Sequence, residues 1–124
     1  MAARAIEDEM RVIVCGGRDF ADWTKLKARL MRLRLETPHD ALTIIQGGAK
    51  GADALAREWC VEYKVPYINY PADWKRHRKA AGPMRNKRML DDGQPDLVLA
   101  FPGGRGTENM IAQAMLAGVP VEHC

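Results

Sequence analysis

Cysteine is scarce in this chain of 124 residues, with Cys15, Cys60 and Cys124 the only three. None stands in a CxxC pair or in a cysteine/histidine cluster at zinc-ligating spacing. That excludes a disulfide scaffold and leaves no metal site to expect, so the thiols are expected free and reduced. Long apolar runs are missing too, which gives no candidate membrane span. Residues 1–10 lack an apolar stretch and carry Glu7, Asp8 and Glu9, unlike a secretory signal. They are expected to form a flexible tail on a cytoplasmic protein, with one domain over 11–124. Charge of one sign is also in short supply. The net charge of +3 tolerates anionic ligands without demanding a nucleic-acid groove.

Familiar phosphate motifs are absent as well. The segment from Gly47 to Asp53 lacks the GK[ST] ending of a Walker A loop, and the glycines at Gly16-Gly17 do not continue as GxGxxG. The second candidate strand ends in Gln46, where a dinucleotide-binding dehydrogenase would carry an acidic residue for the ribose. Hydride transfer on a nicotinamide cofactor is therefore not expected, and no cofactor is assigned.

What is present is an alternation of short apolar strands with amphipathic helices. Strands are expected at Arg11–Cys15, Ala41–Ile45, Pro66–Tyr70 and Asp96–Phe101, with a fifth at an edge around Val119–Val121. Between them, Trp23, Leu26, Leu30 and Leu33 share one helical face, which Pro38 is expected to close. Ala52, Leu55, Ala56, Trp59 and Tyr63 share a second. A third helix is expected to start at Gly82-Pro83, and a fourth carries Met110, Ile111, Ala114 and Met115. Residues 72–81 are expected to be irregular. Continuously apolar strands alternating with helices specify a single Rossmann-like domain, three-layer α/β/α, with a mostly parallel sheet of about five strands.

In such a sheet the ligand lies beyond the carboxyl ends of the strands. The glycine-rich loops fall there: Gly16-Gly17-Arg18-Asp19, Gly47-Gly48 to Gly51-Ala52-Asp53, and Pro102-Gly103-Gly104-Arg105-Gly106-Thr107. Glycine lets a backbone approach a phosphate closely, and the helix that follows supplies free N–H groups. Single residues keep two readings at this point. Asp53 is a helix N-terminal charge or a partner for a ribose hydroxyl. Arg18 and Asp19 form a local ion pair or grip a ligand. Trp74 fills the core or stacks on a base. Trp23 and Trp59 belong to the core, and His39, His77 and His123 to the surface. The run Lys75-Arg76-His77-Arg78-Lys79, followed by Arg85, Lys87 and Arg88, is a solvated face, an attractor for anions or a contact for single strands.

Together, the segments Gly16–Phe20, Gln46–Asp53, Tyr70–Trp74, Ala81–Asn86 and Phe101–Thr107 resemble the short YspA-type branch of the SLOG superfamily, found in bacteria and phages. The resemblance runs from about Arg11 to Val121. It implies a fold similar to the DNA-processing protein DprA and to the LOG phosphoribohydrolases. It also implies a ligand of the nucleotide, NAD or ADP-ribose class, and self-association into a homo-oligomer. It adds Arg85 and Asn86 to the expected ligand-binding residues, since Arg85 matches an arginine that acts with a glutamate in LOG enzymes. That glutamate belongs to PGGxGTxxE, and its position here is Met110, while Glu108 directly follows Thr107. The expectation is a binding module that senses or sequesters a nucleotide-derived ligand. Two alternatives stay open: an N-glycosidic hydrolase drawing on Arg85, Glu108, Asp53 or Asp19, and a single-stranded DNA-binding domain.

Overall fold

The computed structural model describes residues 9–37 and 41–124. Most of the expected tail therefore lies outside the described residues, as do Pro38 and His39. The elements run in the order β1 (Met10–Cys15), α1 (Trp23–Glu36), β2 (Leu42–Gln46), α2 (Ala52–Tyr63), β3 (Tyr67–Asn69), α3 (Trp74–His77), α4 (Ala81–Gly93), β4 (Leu97–Ala100), α5 (Arg105–Leu116) and β5 (Val121–His123). A single 3₁₀ turn, Arg78–Ala80, joins α3 to α4.

The five strands form one sheet in the order β3-β2-β1-β4-β5. Every pairing in it is parallel. Alternation along the central strands sends side chains to two separate cores. Val12, Val14, Ile44 and Leu99 face one way, against Leu26 and Leu30 of α1 and Ala56 and Trp59 of α2. Ile13, Cys15, Ile45, Val98 and Ala100 face the other way, against Met89 and Leu90 of α4 and Met110 and Ala114 of α5. The result is the three-layer α/β/α domain that the apolar runs specify. Trp59 is fully buried, as expected of its helical face, while Trp23 is only half-buried at the margin of the first core.

Three local expectations need correction. Of residues 72–81 only the first two are irregular, because Asp73 accepts a hydrogen bond from the Arg76 amide at 3.1 Å and caps the short α3. Helix α4 begins at Ala81, one residue ahead of Gly82-Pro83. Pro83 still fits in its first turn, where an N–H has no intrahelical acceptor. The edge strand β5 begins after Pro120, whose carbonyl accepts from the Val98 amide at 2.9 Å.

The strand order matters for function. From β1 the chain steps outward to β2 and β3, then crosses the sheet to place β4 on the other side of β1. The loops after β1 and β4 therefore diverge onto opposite faces. The gap between them is the switch-point crevice where open parallel sheets bind ligands.

Candidate functional site

A cleft of about 1130 Å³ opens at that switch point. The loops after β1 and β4 are stitched together at its floor. The Gly17 amide donates to the Pro102 carbonyl at 2.8 Å, and the Phe101 amide donates to the Cys15 carbonyl at 2.9 Å. The Phe20 and Phe101 rings pack 5.2 Å apart behind them. Contact this close explains part of the glycine pattern. A Cβ on Gly16 would lie 2.6 Å from the Ala52 Cβ, and one on Gly17 would lie 3.1 Å from the Gly103 Cα. A Cβ on Gly103 would strike the Thr107 hydroxyl. These glycines let one loop lie on another.

Gly104 and Gly106 differ from them. A Cβ at either position meets nothing within 4 Å. Gly104 is the N-cap of α5 and offers no side-chain acceptor to the first turn. The first backbone bond closing that turn runs from the Glu108 amide to the Gly104 carbonyl, at 3.0 Å. The amides of Arg105, Gly106 and Thr107 therefore have no acceptor one turn back in the helix. They sit at the positive end of the helix dipole, beside the open cleft. The start of α2 at this rim is arranged differently. At α2 the Ala52 amide donates to the Gly17 carbonyl at 3.3 Å, so the first loop occupies part of that terminus. Gly51, the N-cap there, has φ +77°, and a Cβ on it would run into the Gly17 carbonyl. Of the starts of α2 and α5, that of α5 is the one open to an anion, while the start of α1 is capped by the Asp22 side chain.

A polar chain along one wall fixes the α5 terminus in place. The Arg85 guanidinium donates to the Gly47 carbonyl at 2.6 Å and to the Asn86 side-chain oxygen at 3.0 Å. The Asn86 amide nitrogen donates to the Gly106 carbonyl at 3.2 Å and to Asn109 Oδ1 at 3.1 Å. Gln113 donates to the same Asn109 oxygen at 2.7 Å. Asn86 thus has both ends of its amide engaged inside the protein and positions α5. Burial pushes the Arg85 guanidinium below its ordinary value, opposed by the nearby Asp53 and assisted by Arg18.

Asp53 lines the cleft at 7% exposure. Its Oδ2 accepts from the Ala49 amide at 3.2 Å, which latches the loop after β2. Burial raises its pKa, against the lowering effect of that amide, of Arg85, of the Gly47 amide and of Arg18. Cys15 also lines the cleft, but burial pushes its thiol up to about 12, so it stands there as an inert apolar group. Among the described residues all three cysteines are free, and no group of metal-ligating side chains occurs.

The expected binding residues divide by position. Gly16, Gly17, Arg18, Asp19, Asp53, Trp74, Arg85, Asn86, Gly103, Gly104, Gly106 and Thr107 all line the main cleft. Gly47 and Gly48 line a smaller lobe beside it. Gly51 lines neither and acts through the packing just described. Glu108 is exposed and lines neither. Met110, at the LOG glutamate position, is buried in the second core and contributes nothing to the cleft wall. Trp74 does not fill the core. It is 46% exposed, with the Arg18 guanidinium 5.3 Å from its ring centre and the Gly82 backbone beneath it. Of the basic run Lys75 to Lys79, only Lys79 reaches the cleft. Asn109 also lines it and escaped the sequence reading. Its only signal is its place two residues after Thr107, on the face opposite the apolar stripe.

The chain is a Rossmann-like α/β domain with an open helix terminus and a cleft at the switch point of its sheet. The model of the YspA, cpYpsA-related SLOG family matches residues 10–77, from β1 through α3, and the chain belongs to this family. It is also similar to the Gene 61 protein of Mycobacterium phage D29. The two are 36% identical over 118 residues, covering 90% of this chain and 93% of the phage protein. Among the described residues no helix is long and apolar enough to cross a membrane.

Proposed function

We propose that the cleft captures a nucleotide or nucleotide-derived ligand of the NAD, ADP-ribose or cyclic-nucleotide kind, as a sensing or sequestering module. The observation that carries this reading is the first turn of α5, uncapped by any side chain and bordered by two glycines with free space above them. A phosphate there would accept from the Arg105, Gly106 and Thr107 amides. Trp74, exposed at the opposite rim, offers a face for a base once Arg18 swings aside. The cleft exceeds the usual ~300–1,000 Å³ of small-molecule sites, so a ligand as large as a dinucleotide fits. Calorimetry against NAD, ADP-ribose, AMP and cyclic nucleotides tests the reading. Binding of at least one is expected, and no binding at millimolar concentration overturns it.

One observation favours the hydrolase alternative: the cleft contains a buried carboxyl, Asp53, with a raised pKa, as a general acid needs. Against it, Asp53 already accepts the Ala49 amide, and the LOG glutamate position is an apolar core residue. Incubation with AMP followed by chromatography separates the two readings. Intact AMP is expected, and free adenine would establish the alternative.

A further inference from the structure

The smaller lobe, of about 270 Å³, adjoins the main cleft and shares Arg18, Trp74 and Arg85 with it. We infer that this lobe is a second anion subsite, which receives another phosphate of the ligand and uses Lys50 to recognise it. The inference rests on the nucleotide reading above and narrows it to ligands that carry at least two phosphates.

The two lobes differ in charge. The main cleft sets Asp19, Asp22 and Asp53 among its cations. The smaller lobe has Arg18, Lys50 and Arg85 as its charged lining and no carboxylate at all. None of the three makes an ion pair with a carboxylate among the described residues. Arg18 lies against the Trp74 ring, and Arg85 donates to the Gly47 carbonyl and the Asn86 amide, both uncharged partners. Lys50 is exposed at the lip. Asp53, in the main cleft, offsets part of the repulsion between Arg18 and Arg85. No carboxylate lines the smaller lobe beside Lys50, so a phosphate seated there supplies the missing negative charge. The lobe falls below the ~300–1,000 Å³ of a complete small-molecule site, so it suits a terminal or bridging phosphate rather than a second nucleoside. Arg18 and Arg85 border both lobes, which makes them the bridge from the phosphate on α5 to the next one.

Lys50 is the residue to change, because it lines the smaller lobe alone. Calorimetry with AMP, ADP and ADP-ribose is run on the unmodified protein, Lys50→Gln and Lys50→Arg. The unmodified protein is expected to bind ADP or ADP-ribose at least about tenfold more tightly than AMP. Lys50→Gln is expected to erase about tenfold of that affinity while leaving AMP binding unchanged, and Lys50→Arg to retain it. If AMP binds and neither diphosphate binds more tightly, the second subsite is refuted and the nucleotide reading stands. Equal weakening of AMP and ADP by Lys50→Gln also refutes it, since that is the signature of a general field. If none of the three binds, the second subsite is refuted, and the nucleotide reading falls with it only if NAD and the cyclic nucleotides also fail to bind.

Discussion

Gly104→Val places two methyl groups over the first turn of α5, where a Cβ meets no neighbour. Gly104 has φ −108°, outside the left-handed region that favours glycine. A Cβ there meets no atom within 4 Å, so the valine projects into the cleft rather than into a neighbouring loop. The space it takes is the space a phosphate oxygen needs above the Arg105 and Gly106 amides. Losing two charge-assisted hydrogen bonds, at about 1.5–3 kcal/mol each, costs at least ~3 kcal/mol. That corresponds to a loss of affinity of at least about a hundredfold. The assay is calorimetric affinity for whichever nucleotide binds the unmodified protein, alongside thermal melts of both. Expected are an unchanged melt and a lost or severely weakened ligand. Unchanged affinity with an intact fold would refute the reasoning, because the α5 terminus would then not hold the ligand.

Gly51→Ala is expected to behave in the opposite way. It forces a side chain to φ +77° and against the Gly17 carbonyl, so it should cost at least about 2 kcal/mol, measured by denaturant unfolding. Cys15 should resist thiol reagents at neutral pH in the folded protein, since burial holds its pKa at about 12; rapid labelling without unfolding would contradict the packing described. Glu122 accepts from Arg29 at 2.6 and 2.8 Å, and that hydrogen bonding holds its carboxyl below the ordinary 4.5. The stabilisation is complete above that ordinary value and is lost as pH falls through the lowered one. With Glu122 37% exposed, Glu122→Gln should cost only about 1 kcal/mol after allowance for screening, and should flatten that acid limb of the stability–pH curve.

The sheet was readable from the sequence because β1, β2 and β4 are continuous apolar runs, each ended by glycine or by Pro102. Such runs are buried on both faces, and burial on both faces requires helices on both sides. Helix α3 was not readable. Four residues are too few to show a hydrophobic period, and its capping residue, Asp73, looks like any other loop aspartate. The rim was readable as a set of glycines, but their division of labour was not. Gly103 is held by Gly17 and Thr107, whereas its neighbour Gly104 faces open space, and only the meeting of two distant loops distinguishes them. Trp74 was ambiguous for a similar reason, since whether an aromatic on a loop is covered depends on what folds over it. The contrast between Glu108 and Asn109 was partly visible. A residue directly after Thr107 points elsewhere around the helix, but nothing local showed that the next one would join the wall through Asn86.

The most direct test of the account is to observe the α5 amides as ligand is added. In a ¹⁵N–¹H correlation titration with AMP, the amides of Arg105, Gly106 and Thr107 should show the largest shifts, moving downfield as a phosphate accepts their protons. If those three amides stay in place at saturating AMP while resonances elsewhere move, the ligand sits somewhere else and the switch-point cleft is not its site.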